Sequence, residues 1–204
     1  MPHPHDQHRY QVRWEWGVDG LARLAPCDVV VVVDVLVGEQ TGQERRTRVD
    51  GDSLAAVSSD AASIAEQAAR GGALALLGSL RNAPAVAAAV LAEQASRGVR
   101  TSVAVVAVGE QIPGAVRFAV EDLLGGGAVV DALGALGIDH TSPEAAAAGT
   151  AFAGLRGALR HLLTASASGQ ELIERGEREQ VLAAADLGAA SVVPALRDGA
   201  FVAY

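Results

Sequence analysis

Four carboxylates stand at places in this 204-residue chain where acids are either costly or concentrated. Asp34 interrupts the apolar run VVVVVDVL, Glu110 follows a second apolar run in VAVVAVGE, and Glu121 and Asp122 are adjacent in VEDLLGGG. An unpaired carboxylate in an apolar strand is expensive to bury, which points Asp34 toward function. Together the four could hold a hard divalent cation such as Mg²⁺ through oxygen ligands. GSLRNAP, residues 78–84, adds Ser79, Arg81 and Asn82. Arg81 could grip a phosphate or carboxylate with charge-assisted hydrogen bonds. Asn82 could cap a helix whose first turn contains Pro84, leaving backbone N–H groups where an anion would sit. Each residue also has a plainer reading: a solvated helix face for Glu121 and Asp122, a simple helix cap for Asn82, a surface salt bridge for Arg81.

Other constellations carry less. His3, His5 and His8 have metal-like spacing but lie at a terminus expected to fray, with residues 1–9 disordered. His140 and His161 have no G-x-S-x-G elbow to serve. GGGAVV follows a helical pattern rather than a strand, so it lacks the context of a dinucleotide loop. No phosphate-binding G-x-x-x-x-G-K-[ST] loop is present, and the chain contains no Lys to complete one. A nucleotide-binding α/β protein is disfavoured for that reason.

The apolar runs set the elements that must position these residues. YQVRWEW (10–16) alternates as a strand with one solvated face, and GLARLA (20–25) reads as a short helix. Asp28–Leu36, ALALLG (73–78) and TSVAVVAVG (101–109) read as buried strands. Residues 37–52 carry nine charged or amide side chains without a period and read as a mobile loop; SLAAV (53–57) could be a short strand. Helices are expected over 61–70, over 83–97 with Gly98 as stop, and as a pair, 115–124 and 128–137, hinged at Gly125–Gly127. Ser142 and Pro143 open another helix, and Ser168 with Glu171 has capping-box spacing. SVVPAL and AFVAY read as strands around an Asp198–Gly199 turn. Apolar β-branched runs alternating with helices imply one α/β domain over residues 1–204. Its sheet is mostly parallel with helices on both faces, and antiparallel additions lie at the N- and C-terminal ends.

Half of the residues are hydrophobic but 3% are aromatic, so Ala, Val and Leu must build the core. The net charge of -8 disfavours nucleic acid as a partner, since all 16 basic residues are dispersed Arg apart from 45–48. Cys27 is the sole cysteine, which excludes an internal disulfide. No apolar run approaches the ~18 residues of a membrane span, and the N-terminus lacks a signal-peptide core. A cytoplasmic protein acting on a small molecule is expected, with a homo-oligomer left open.

Taken in order, VVVVVDVL, GSLRNAPAVA, VAVVAVGE with RFAVEDLLGGGAVVDAL, and SGQELIERG…VVPALRDGAFV resemble the 2-phosphosulfolactate phosphatase family. The resemblance covers most of the chain and extends to the opening YQVRWEWG. It implies a Mg²⁺-dependent acid phosphatase that releases phosphate from 2-phosphosulfolactate. It also implies that Asp34, Asn82, Glu110, Glu121 and Asp122 occupy motif positions. Catalytic roles fall on Asp34, Asn82 and Glu110, metal binding on Asp34, Glu110, Glu121 and Asp122, and substrate binding on Ser58, Ser79, Arg81 and Asn82. Haloacid-type phosphatases differ, needing Asp-x-Asp where Val35 and Leu36 follow Asp34 here.

Two departures separate the chain from the family pattern. VGEQTGQERRTRVDGD replaces the polar turn and helix that normally follow the Asp-Val-Leu strand, so a strand–helix unit is expected to be missing before Ser58. The family's Ser-x-Asn-Gly turn is matched only by SSDAAS (58–63), with Asp60 for Asn and Ala61 for Gly. An Asp there repels a phosphate, and Ala closes a space that Gly leaves open. Two functions therefore stand: a Mg²⁺-dependent phosphatase on a small acidic organophosphate, or an impaired relative that binds a small anion or serves as a non-catalytic subunit.

Overall fold

A computed structural model describes residues 3–37 and 57–204. The expected mobile loop (37–52), the strand SLAAV (53–57) and the missing strand–helix unit fall almost wholly outside the described residues.

The chain runs β1 (Val12–Trp16), α1 (Gly17–Arg23), β2 (Val29–Val33), α2 (Ser59–Arg70), β3 (Leu74–Gly78), α3 (Ala83–Arg97) and β4 (Val103–Ala107). A hairpin, β5 (Glu110–Ile112) and β6 (Ala115–Arg117), precedes α4 (Val120–Ala135) and α5 (Pro143–Leu155). Short helices α6 (Leu159–Ala165), α7 (Ala167–Glu174) and α8 (Arg178–Ala184) lead to β7 (Pro194–Arg197) and β8 (Ala200–Ala203).

The main sheet has the order β1-β4-β2-β3-β7-β8. β1, β4, β2 and β3 are parallel, while β7 and β8 are antiparallel additions. The N-terminal strand was expected to be antiparallel and is instead parallel to β4, Val12 pairing with Val103 and Trp16 with Ala107. The reason lies in α1, which returns the chain across the sheet, so β1 and β2 flank β4 with one direction. The C-terminal hairpin turns at Asp198 and Gly199, both with positive φ (50° and 78°), as the Asp-Gly pair requires.

Successive β2 side chains, Val29, Val31, Val33 against Val30, Val32, feed two separate cores, and every residue of β2 and β4 is buried. One face is covered by α2 with α1, the other by α3, α4, α5 and the short helices. With few aromatics, small side chains must let the layers approach closely. Gly125, Gly126 and Gly127 do this rather than act as a hinge: α4 is continuous from Val120 to Ala135, and residues 115–117 form β6. A Cβ on Gly126 would lie 2.3 Å from the Trp14 ring, and one on Gly127 2.3 Å from the Ala148 carbonyl oxygen of α5.

Residues 3–9 also depart from expectation, since they are folded against β1. The Gln7 carboxamide accepts from the Trp14 N–H (3.0 Å) and donates to the Trp14 carbonyl (2.9 Å), satisfying groups at a strand that would otherwise be an open edge. Pro4–Asp6 forms a 3₁₀ turn closed by the His3 and Asp6 side chains.

Gly127→Ala should therefore cost about 1–3 kcal/mol, because the new methyl meets backbone that cannot rotate away. Gly134→Ala in the same helix, with nothing within 4 Å of its Cβ, should be neutral or stabilising by up to about 1 kcal/mol. Urea melts of both variants check this, and equal midpoints would show that the α4–α5 contact is not close-packed.

Candidate functional site

After β2 the chain leaves toward α2 on one face; after β4 it leaves toward α4 on the other. Diverging connections open a crevice at the carboxyl ends of these neighbouring strands, where open α/β sheets bind ligands. A cavity of about 150 Å³ lies there, and its lining joins Asp34 with Glu110, Glu121 and Asp122. Ser58 lines it as well.

Asp122 is the fixed member of this group. It sits in the first turn of α4, whose N-cap residue Ala119 offers no side-chain acceptor. Its Oδ1 accepts from the Val35 N–H (2.9 Å) and its Oδ2 from the Gly109 N–H (2.8 Å), so it joins the loops leaving β2 and β4. Gly109 has φ +67° and would place a Cβ 2.6 Å from Val116 Cγ1, which explains why a glycine opens the segment here. Both Glu121 and Asp122 are 3% exposed, which rules out a solvated helix face. The partial positive charge at the N-terminus of α4 helps to hold these acids.

Asp34 is half-buried. Its Oδ2 accepts a 2.5 Å hydrogen bond from Ser58 Oγ. Ser58 is the N-cap of α2, its hydroxyl oxygen accepting from the Ala61 N–H at 3.1 Å. Thus the N-cap hydroxyl that starts α2 also orients the Asp34 carboxylate. Burial pushes the Asp34 carboxyl up to about 6; the Ser58 hydrogen bond opposes the shift, and the charges of Asp60 and Glu121 add to it. Burial, followed by the Asp34 charge, holds Asp122 well above the ordinary carboxyl range despite its two backbone donors. The two acids therefore retain a proton at a pH where an isolated carboxyl has lost it.

The remaining sequence candidates divide. Glu110 lies at the rim, exposed, and forms a cross-strand ion pair with Arg117 in the β5–β6 hairpin. Ser79, Arg81 and Asn82 are not in the cavity lining. Asn82 occupies the N-cap position of α3 without capping it by its side chain. Its Oδ1 accepts from the Ser79 N–H (2.8 Å) and Oγ (3.2 Å), and its Nδ2 donates to the Leu77 and Val192 carbonyls (both 3.1 Å). Every polar valence of that amide is thus spent on tying the end of β3 to the approach of β7. Arg81 is half-buried and its Nε has no hydrogen-bond partner.

Four lining residues were missed as site residues by the sequence reading: Asp60, Ser168, Glu171 and Arg175. The capping-box spacing of Ser168 and Glu171 was misleading, because the N-cap of α7 is Ser166, whose Oγ accepts from the Gly169 N–H at 3.1 Å. Ser168, Glu171, Leu172 and Arg175 then follow the i, i+3, i+4, i+7 spacing of one helical face, and that face forms a wall of the cavity. The spacing was available in the sequence; knowing that the face met a cavity was not.

The donor chemistry suits a hard cation, since buried carboxylates that raise one another's pKa are relieved by a positive charge. A cage of four carboxylates is nevertheless not assembled: among the described residues no group of three or more His, Cys, Asp or Glu is placed to hold a metal ion. Glu110 is turned to Arg117 and Asp122 to two amides. Mg²⁺ commonly takes one or two carboxylates and completes its shell with water and substrate phosphate, and Asp34 with Glu121 fits that pattern.

No helix among the described residues is long and apolar enough to cross a membrane. No curated protein matches the chain. The family model for 2-phosphosulpholactate phosphatase matches residues 41–199, which include every candidate site residue except Asp34. That span is most of the chain, and with the α/β sheet and its cavity it identifies the protein as a member of the 2-phosphosulpholactate phosphatase family.

Proposed function

We propose that the protein is a Mg²⁺-dependent phosphoric monoester hydrolase acting on a small acidic organophosphate of the 2-phosphosulfolactate type. The observation that carries this reading is the Asp34 carboxylate, held by the N-cap hydroxyl of α2 at the switch point of the sheet, where burial pushes it up to about 6. The substrate phosphate lies toward the N-terminus of α2, where the helix dipole favours an anion. Asp34 takes a proton from the attacking water as its oxygen bonds phosphorus. The ester P–O bond breaks, the departing alcohol oxygen takes a proton from solvent, and Asp34 releases its own proton to solvent to restore the carboxylate. Asp34 and Glu121 would hold the cation, which neutralises charge on the phosphoryl oxygens when bound. Asp122 does not touch the reacting atoms; it fixes the two loops that carry Asp34 and Gly109.

One observation favours the impaired relative. Asp60 lines the cavity in the first turn of α2, burial raises its pKa, and its ionised form repels a phosphate. A phosphate-release screen over small organophosphates, with Mg²⁺ and with EDTA, separates the two. The wild-type protein should release phosphate only with Mg²⁺, and Asp34→Asn should abolish release. Silence across the screen would favour the anion-binding relative. Mg²⁺ should also raise the melting temperature of the wild type by mass action, but not that of Asp34→Asn.

The raised carboxyl pKa values fix a pH dependence. Between the ordinary value of about 4 and the folded value of about 6, the folded state keeps a proton that the unfolded chain has lost. Metal-free stability should therefore fall as pH rises through this window, by an amount on the order of 1–2 kcal/mol given partial access to solvent. Asp34→Asn should flatten the slope and leave the protein at pH 7 at least as stable, because the Ser58 hydroxyl can rotate to suit an amide. Asp122→Asn should instead cost about 1–3 kcal/mol, since its NH₂ group would face a backbone N–H at Val35 or Gly109. Urea melts from pH 4 to 8 read both effects, and a larger loss for Asp34→Asn than for Asp122→Asn would reverse the assigned roles.

A further inference from the structure

The cavity wall built by α7 carries a charge that the hydrolytic step leaves unused. Six carboxylates line the cavity, Asp34, Asp60, Glu110, Glu121, Asp122 and Glu171, and Arg175 is the one cation among the described lining residues. Arg175 lies just beyond the last residue of α7 and is exposed. None of the ion pairs formed among the described residues engages its guanidinium. Arg117, outside the lining, is committed to Glu110. The seven residue-to-residue steps from Ser168 to Arg175 correspond to about 10 Å of helix, so the wall is long enough to meet both ends of a small molecule.

We infer that Arg175 is the specificity-determining residue of this site: it binds the substrate's second acidic group, a carboxylate or sulfonate, while the phosphate lies at the Asp34 end. The physical reason is sign. Among the described lining residues, an acidic group entering beside six carboxylates finds a full positive charge at this guanidinium alone, whose planar fork matches two oxygens of a carboxylate or sulfonate. Ser168, half-buried one turn before Glu171 and released from capping, offers a hydroxyl donor on the same wall. Organophosphates with a neutral tail gain nothing from this wall, so the site selects for molecules with a second charge. The position given to the phosphate rests on the hydrolase reading above; the role of Arg175 toward the second group does not require turnover.

Titration calorimetry on the full chain with Mg²⁺ present tests the inference, using sulfoacetate and inorganic phosphate as separate probes. Arg175→Ala should weaken sulfoacetate binding about 10–100-fold, the loss expected for a charged hydrogen-bonded contact. Arg175→Lys should recover part of it, and Arg178→Ala, which removes a nearby charge outside the cavity lining, should change nothing. Phosphate affinity should be the same in all four proteins. Unchanged sulfoacetate affinity in Arg175→Ala, or no sulfoacetate binding by the wild type, would overturn the assignment. An equal loss of phosphate affinity would overturn it too, by giving Arg175 to the phosphoryl group. Failure of the hydrolase reading looks different: sulfoacetate bound through Arg175 by a protein that releases phosphate from no monoester.

Discussion

The site depends on one carboxylate that does no chemistry in the proposed mechanism. Asp122 receives the amides of Val35 and Gly109, and these belong to the loops that leave β2 and β4 in opposite directions. Such loops carry backbone donors that the sheet no longer pairs, and a buried unpaired N–H is costly. Supplying both from one side chain at the start of α4 brings three elements to a fixed separation. The crevice between the strand ends becomes a walled cavity, with Asp34 directed into it from β2 and Glu121 from α4. The interaction costs a buried charge, which α4 offsets with its own N-terminus.

Small residues make that arrangement compact. Gly125 would place a Cβ 2.4 Å from Val35 Cγ2, so the loop that Asp122 holds also lies directly on the helix carrying Asp122. Trp14 and Ala148 press on the next two glycines. A core made mainly of Val, Ala and Leu has little side-chain volume to fill gaps, so close backbone approach takes over the role that aromatic packing has elsewhere. The same three residues read in sequence as a hinge, because glycine's local preference is to break helices. Tertiary packing outweighed a propensity cost of about 1 kcal/mol per glycine.

What was legible in the sequence follows from how local each signal is. The buried runs around Val29–Val33 and Val103–Ala107 announced central parallel strands, and Asp198-Gly199 announced a hairpin, because each depends on neighbours in the chain. Asp34 was legible because an acid in an apolar run needs a reason; Glu121 and Asp122 were grouped with it and Glu110 only as acids near strand ends, with a solvated helix face as their plain reading. The direction of β1 was not, since nothing in an alternating strand states which neighbour it pairs with. Asn82 and Asp122 show the same limit in the site itself. Both were read as ligands from residue type and position, yet their oxygens are spent on backbone at Ser79, Val35 and Gly109, and only a folded chain shows that. Arg175 was overlooked for the converse reason: an Arg at the end of a short charged helix looks like any solvated residue until its face is seen to line a cavity.

The charge balance of the cavity sets what any ligand must bring. Of six lining carboxylates, Glu110 is neutralised by Arg117, and Asp34 and Asp122 hold a proton between them more readily than free acids do. Among the described lining residues, the remaining negative charge faces the Arg175 guanidinium and the N-terminal end of α2. A lone phosphate dianion entering that field is repelled unless a cation accompanies it or the acids protonate. Both conditions act on Asp34: a cation lowers its pKa and keeps it ionised, whereas acidic pH protonates it and removes it as a base. Occupancy by anion and cation together is thus the state in which the acids are best satisfied, and it is also the state that the proposed hydrolysis would use. The mutual repulsion of these acids therefore couples binding of any anion to the charge state of Asp34.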